Sequence, residues 1–212
     1  MCAGPAEQSV LVLVSGELAV VRRAVPEDLT EVNAMHARCT TASLVQRYRA
    51  PRDGIRPAEW ARLTAPSAGA SWVTTPLEEP GRVIGLSHLM HTGGDGVREL
   101  GLLVEDDWQR RGLGMSLAQY AVLHGARTGC RSVTVLTAAD NRAMETIARR
   151  LGASPRNRVR TDVEFSIAVA GRSGGPADAV RDERGGTGAV LGYRSGIRAE
   201  PVPGAAGAGS PT

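Results

Sequence analysis

The chain has no lysine: all 25 of its basic residues are arginine, set against 22 acids for a net charge of +3. A phosphate loop of the Walker type is thereby excluded, because nothing here replaces its lysine. The pI of about 9.1 reflects the very high pKa of guanidinium rather than a concentrated basic patch, so no nucleic-acid partner is expected. Cysteine is scarce as well. Cys2, Cys39 and Cys130 are odd in number and lack C-x-x-C spacing, which supports neither a disulfide framework nor a zinc knuckle and fits a reducing cytoplasm. Aromatic residues make up 3% of the chain, with three Trp, three Tyr and a single Phe. The longest uncharged apolar run, Val10 to Val14, falls far short of the roughly 18 to 20 residues that span a bilayer, and no basic region precedes it. The expectation is a cytoplasmic protein with no membrane partner.

What is present suffices for one folded domain: 42% of the residues are hydrophobic. Residues 171–212 hold 11 Gly and 4 Pro, a composition that cannot bury enough apolar surface to offset its ordering entropy. A disordered tail is expected there. Residues 1–17 read as an N-terminal extension in which Val10 to Val14 can add a strand, and residues 18–170 as the domain.

Strands and helices alternate within it. Leu18 to Ala24 reads as a strand. Pro26, Glu27 and Asp28 then open a helix, since proline suits a first turn and acids complement the positive end of the dipole. Thr40 to Tyr48 forms a second helical stretch, and Pro57 to Trp60 suggests a short third. Ser71 to Thr75 and Val83 to His91 are strands, followed by Val97 to Val104, whose near-continuous apolar run suits a strand covered on both faces. Helix Gly112 to Arg127, strand Ser132 to Thr137, helix Asn141 to Leu151 stopped by Gly152, and strand Val163 to Val169 complete an α/β pattern.

The segment from Val104 through Glu105, Asp106, Asp107, Trp108, Gln109, Arg110, Arg111, Gly112 and Leu113 to Gly114 carries the most chemistry. A buried strand passes there through a polar turn into a helix, and a helix start offers unpaired N–H groups and the positive end of the dipole to an anion. The two glycines let a pyrophosphate approach the backbone without a Cβ in the way, while Arg110 and Arg111 add charge that does not titrate away. The turn reads as a phosphate cradle. No G-x-G-x-x-G opens this helix, so a dinucleotide fold is not indicated.

Placed between strand and helix, V-x-x-x-x-Q-R-R-G-L-G resembles motif A of the GNAT superfamily of acyl-CoA-dependent N-acetyltransferases, whose signature is Q/R-x-x-G-x-G/A. Asn141, Arg142, Ala143 and Met144 through Leu151 and Gly152 are similar to the family's N-x-x-M…L-G helix. The run from Glu99 to Gly114 resembles most closely the GNAT domains of bacterial protein lysine acetyltransferases. The implied fold has a mixed, mostly antiparallel, splayed sheet flanked by helices.

The resemblance implies acetyl-CoA as acyl donor, no metal, and a primary amine as acceptor, on a protein lysine or N-terminus or on a small molecule. A homodimer is compatible with it. By the same resemblance the pantetheine arm would bond the backbone at Leu102, Leu103 and Val104, with the Val104 N–H facing the developing oxyanion. Gln109, Arg110, Arg111, Gly112, Leu113 and Gly114 would hold the pyrophosphate, and Asn141 would touch the pantetheine or phosphate region. Glu99 matches the position of the family's proposed base, and the alternative is a solvent-facing carboxylate at a strand end. Glu105 and Asp106 read as turn residues. Ala148 stands where many relatives carry a tyrosine acid, which leaves water, Ser116 or Tyr120 to protonate the thiolate and keeps open a rival reading, an acyl-CoA-binding regulatory module. His36, His88, His91 and His124 read as ordinary positions, and Cys39 and Cys130 as inert thiols. Arg47, Tyr48, Arg49 and Arg52 fall on the acceptor side by resemblance, as a solvated helix end or as a reader of an acidic group.

Overall fold

Strand-forming residues at alternating positions pull the middle of the chain into sheet, and capped amphipathic runs supply the helices between. The computed structural model describes residues 8–169, so the tail expected over 171–212 lies outside the described residues. In chain order the elements are β1 (Gln8–Val12), β2 (Leu18–Arg23), α1 (Leu29–Arg38), α2 (Thr41–Tyr48), α3 (Pro57–Thr64), β3 (Gly69–Pro76), β4 (Gly85–His91), β5 (Val97–Val104), α4 (Leu113–Arg127), β6 (Ser132–Ala138), α5 (Arg142–Arg150), β7 (Ser154–Val159) and β8 (Asp162–Ala168). Short 3-10 turns, Pro26–Asp28 and Asp106–Trp108, precede α1 and α4.

The strands form one sheet in the order β1-β2-β3-β4-β5-β6-β8-β7. Neighbours run antiparallel except β5 and β6, which are parallel. Each face carries its own core. Leu100, Trp72, Val133 and Phe165 pack with Leu113 and Leu117 of α4 on one side. Leu103, Val73 and Leu86 pack with Val32, Met35, Leu44 and Trp60 of α1 to α3 on the other. The alternation along β5 thus sends Leu100 and Leu103 to opposite faces, as a strand covered on both sides requires.

Local polar contacts fix the connections. Asp28 accepts two hydrogen bonds from the Arg22 guanidinium, at 2.8 and 2.6 Å, and one from the Val25 N–H at 2.8 Å, which sets the angle at which β2 turns into α1. Residues 8–17 are integral to the sheet: β1 pairs with β2, and Leu11 and Leu13 are buried. The sequence pattern gave no sign of β7. Its residues, Ser-Pro-Arg-Asn-Arg-Val, have no alternation, and only pairing with β8, with an irregularity between Pro155 and Asn157, makes them a strand.

Candidate active site

The chemistry gathers where β5 and β6 separate. Their pairing runs through Val97↔Ser132, Arg98↔Val133 and Glu99↔Thr134 and then stops, so Glu99 sits at the fork. The Glu105 N–H bonds the Ile84 carbonyl at 3.0 Å, and Gly85 lies opposite Val104. In an antiparallel ladder that register makes residues 101, 103 and 105 bond β4 and turns the N–H and C=O groups of Leu100, Leu102 and Val104 away from it, into the fork. Thr134, bonding the Arg98 carbonyl from β6, confirms the parity. Leu103, expected from the resemblance to share this role, spends its main chain on β4 instead.

The fork opens into a cleft of about 500 Å³ that reaches from Glu99 and Gly101 past Leu102 and Val104 to Gln109, Gly112 and Gly114, with Asn141 and Ile147 on the far wall. No side chain caps the start of α4, leaving its first-turn N–H groups directed outward. Gly112 has φ +92°, and a Cβ there would stand 2.8 Å from Cγ2 of Val14. Val14 is anchored by its own N–H to the Arg111 carbonyl at 3.1 Å, so the turn after β1 forms one rim of the cradle.

Not every residue of the motif faces this space. Gln109 donates from Nε2 to the Val104 carbonyl at 3.1 Å and to Ser43 Oγ at 3.0 Å, which ties the C-terminal end of β5 to α2. Arg110, with φ 59°, lines the cleft. Arg111 pairs with Glu17, and its guanidinium lies 5.0 Å from the centre of the Trp108 ring. Leu113 is buried in the core beneath the cradle. Asn141 caps α5, its Oδ1 accepting from the Met144 N–H at 3.0 Å, and its side chain still borders the cleft. Ala148 is fully buried, and Ser116 and Tyr120, weighed as replacements for the missing acid, are not among the cleft's lining residues.

Beside the cleft, α2 is held by residues to which the sequence gave little or no role. Asp106 Oδ2 accepts from the Thr40 N–H at 2.9 Å, while Oδ1 accepts from the Thr40 and Ser43 hydroxyls at 2.8 and 2.9 Å. Burial alone would push its carboxyl up, yet these bonds hold it below the ordinary value. Thr40 is the N-cap of α2, and Asp106 braces it from a segment 66 residues away in sequence, a link that no local pattern encodes. Arg47 of α2 borders the cleft over Gly101.

Among the described residues, neither Cys39 nor Cys130 offers a nucleophile. Burial, with Asp106 and Glu105 adding to it, pushes the Cys39 thiol up to about 11, and Cys130 is buried. The other histidines of interest are held by neighbours. Ser71 donates its hydroxyl to the Leu63 carbonyl, so His88 Nδ1 donates to Ser71 Oγ at 2.8 Å. Burial holds His88 well below its ordinary pKa and lowers that of His36. Among the described residues no three His, Cys, Asp or Glu side chains gather as a metal site, and no helix is long and apolar enough to cross a membrane.

A family model described as an acetyltransferase (GNAT) domain matches residues 19–154. Among solved structures, the GNAT domain of S. lividans PAT superposes with a TM-score of 0.68 at 19% identity, covering 76% of this chain and 96% of that one. The cAMP-binding acyltransferase from Mycobacterium smegmatis gives 0.55 at 23% identity, covering 76% of this chain and 47% of that one. RimL, a ribosomal L7/L12 α-N-protein acetyltransferase solved with coenzyme A, gives 0.59 at 15% identity, covering 76% and 98%. Identities this low carry the fold alone. No curated protein matches the chain in sequence.

Proposed function

Because the chain belongs to the GNAT acetyltransferase family, whose chemistry is acyl transfer from acetyl-CoA, we propose that it moves an acetyl group to a primary amine by direct attack in a ternary complex. The observation that carries this reading is the fork: a strand whose inward N–H and C=O groups find no partner in β6 leads straight to an uncapped helix start. An extended pantetheine arm can add to Leu102 and Val104 as a further strand would, and the pyrophosphate can settle on the first turn of α4. Residues present fit such a donor: a Cβ at Gly112 would fill the cradle, and Arg110 adds a cation beside it.

The Val104 N–H is then the donor that meets negative charge as the thioester carbonyl becomes tetrahedral. Gln109 holds the same peptide segment through the Val104 carbonyl, so the donor is in place before the reaction begins. The amine must arrive neutral. An alkyl ammonium of pKa near 10.4 is deprotonated in only about 4 molecules per 10,000 at pH 7, so a base is worth about 10²- to 10⁴-fold in rate. Glu99, exposed at the apex of the fork and lining the cleft, is the carboxylate placed to take that proton directly or through water. With Cys39 at about 11 and Cys130 buried, neither of these described cysteines supports a covalent acyl-enzyme.

Ala148, buried where relatives often carry a tyrosine acid, favours the rival reading of an acyl-CoA-binding regulatory module. A free thiol has a pKa near 8.5, so water suffices to protonate the leaving group and turnover does not require that tyrosine. The deciding experiment pairs calorimetry with a thiol-release assay over an amine panel. Binding of acetyl-CoA with amine-dependent release of CoA is expected; binding without release from any amine would establish the regulatory module instead.

A further inference from the structure

Of the arginines that line the cleft, Arg47 is the one that reaches over β5 at its floor, beside Glu99. Of the arginines clustered on the acceptor side, Arg49 pairs with Asp162 and Arg52 with Glu59. Arg47 forms no ion pair or hydrogen bond among the described residues, and its Nε is buried with no partner. Its guanidinium lies over Gly101 on the floor of the cleft, so close that a Cβ at that position would stand 2.6 Å from Cζ. It is also positioned with care. Tyr48 carries it, with Cζ 5.0 Å from the ring centre. That ring is fixed in turn: His36 Nδ1 donates to the Val32 carbonyl at 2.7 Å, so its Nε2 accepts the Tyr48 hydroxyl at 2.6 Å.

We propose that Arg47 is the anion-binding residue of the acceptor site and that the acceptor is a small amine bearing its own carboxylate, of the amino-acid class. The inference rests on the acetyltransferase reading and narrows its acceptor. Three observations select this chemistry. Leaving a guanidinium half-buried and unpaired is costly unless a ligand supplies the negative charge, and a carboxylate matches its fork of donors. Glu99 and Gly101 are two residues apart on β5, so their side-chain positions share one face at a spacing of about 7 Å. That is the reach of a compact zwitterion with its amine at Glu99 and its carboxylate at Arg47.

Arg47 is also badly placed to serve the acyl donor's phosphates. Gly101 precedes Val104 by three residues, about 10 Å of strand, and Arg47 stands on the α1–α3 face, whereas the cradle opens at α4. At the Glu99 end of the cleft Arg47 has a carboxylate as its neighbour, while Arg110 lines the cradle end, so the Arg47 site suits a monoanion better than a phosphate. Burial lowers the Arg47 pKa from its ordinary value, with Tyr48 and Glu99 acting against that shift; a guanidinium starts so high that it stays charged.

The test is calorimetric titration of the CoA-saturated full-length protein with leucine, leucinamide, isopentylamine and a lysine-containing peptide, run beside thiol release from acetyl-CoA with each. Leucine is expected to bind at least tenfold more tightly than its amide or the bare amine. R47M should reduce that preference to less than threefold through the acceptor's affinity, with acetyl-CoA affinity unchanged within twofold. R47K should retain part of the preference. G101A, which keeps the arginine but displaces it, should weaken the same preference. Equal binding of leucine and isopentylamine, survival of the preference in R47M, or a peptide preferred over leucine would overturn the proposal. If leucine binds through Arg47 but no acceptor releases CoA, the anion site stands and the acetyltransferase reading falls.

Discussion

Two single residues separate binding from chemistry. Gly112 takes φ +92° against Val14, a conformation that costs other residues about 1–2 kcal/mol before any clash. G112V is therefore expected to lower stability by at least that amount and to weaken acetyl-CoA affinity more than tenfold, read by thermal melting and calorimetry. Gly114 is a milder case, since a Cβ there meets only Ile147 Cδ1 at 3.2 Å. E99Q should do the reverse of G112V: kcat falls by about 10²-fold or more while acetyl-CoA affinity stays within twofold. An unchanged rate across pH in E99Q would remove Glu99 from the role of base. The cradle glycines and Glu99 were legible as residues, because positive φ, missing Cβ atoms and motif spacing are all encoded within 16 positions. Arg47 was visible only as one of four residues in a cluster, since its lack of a partner depends on where Asp162 and Glu59 come to lie.

At the scale of elements, α2 and the turn after β5 behave as one unit. Asp106 braces Thr40, the N-cap of α2, and Gln109 bridges Ser43 of α2 to the Val104 carbonyl. D106A removes the acceptor of three hydrogen bonds at a helix start and should cost about 1–2 kcal/mol, a drop in Tm of roughly 2–8 °C. Because α2 carries Arg47, the same change should raise the acceptor's KM more than that of acetyl-CoA. Equal effects on both would show that the brace serves stability alone. Sequence reading located α2 and α4 to within a residue or two, since proline, capping residues and apolar spacing mark such ends locally. It missed β7, whose existence depends on the edge that β8 presents.

For the whole molecule, the two buried histidines give a sign to the response to acid. His88 and His36 are held below their ordinary values, chiefly by burial, so the folded state keeps them neutral where the unfolded chain binds protons. The unfolded state then carries more protons below about pH 6.5, and stability falls on acidification by up to about 1.4 kcal/mol per pH unit for each histidine. Tm should therefore decline between pH 7 and 5, with a shallower decline in H88Q; identical slopes would remove His88 from the account. Asp106 acts in a separate window, because its lowered carboxyl supports the fold until the pH drops below about 4. Acetyl-CoA at 100 times its Kd should add about 2.7 kcal/mol, seen as a rise in Tm that G112V cuts by about half or more.

By itself the sequence determined the alternation of strands and helices and the glycine-spaced turn at the start of α4. These follow from propensity, capping and φ, which act over a few residues. It also marked Glu99, through a spacing that resembles a family's. Tertiary structure alone decided that β5 parts from β6 after Glu99, that the Asp106 carboxylate holds α2, and that Arg47 faces the cleft with its Nε unpartnered. Each of these depends on segments tens of residues apart meeting in space, and a chain read one window at a time contains no term for which charges will find each other.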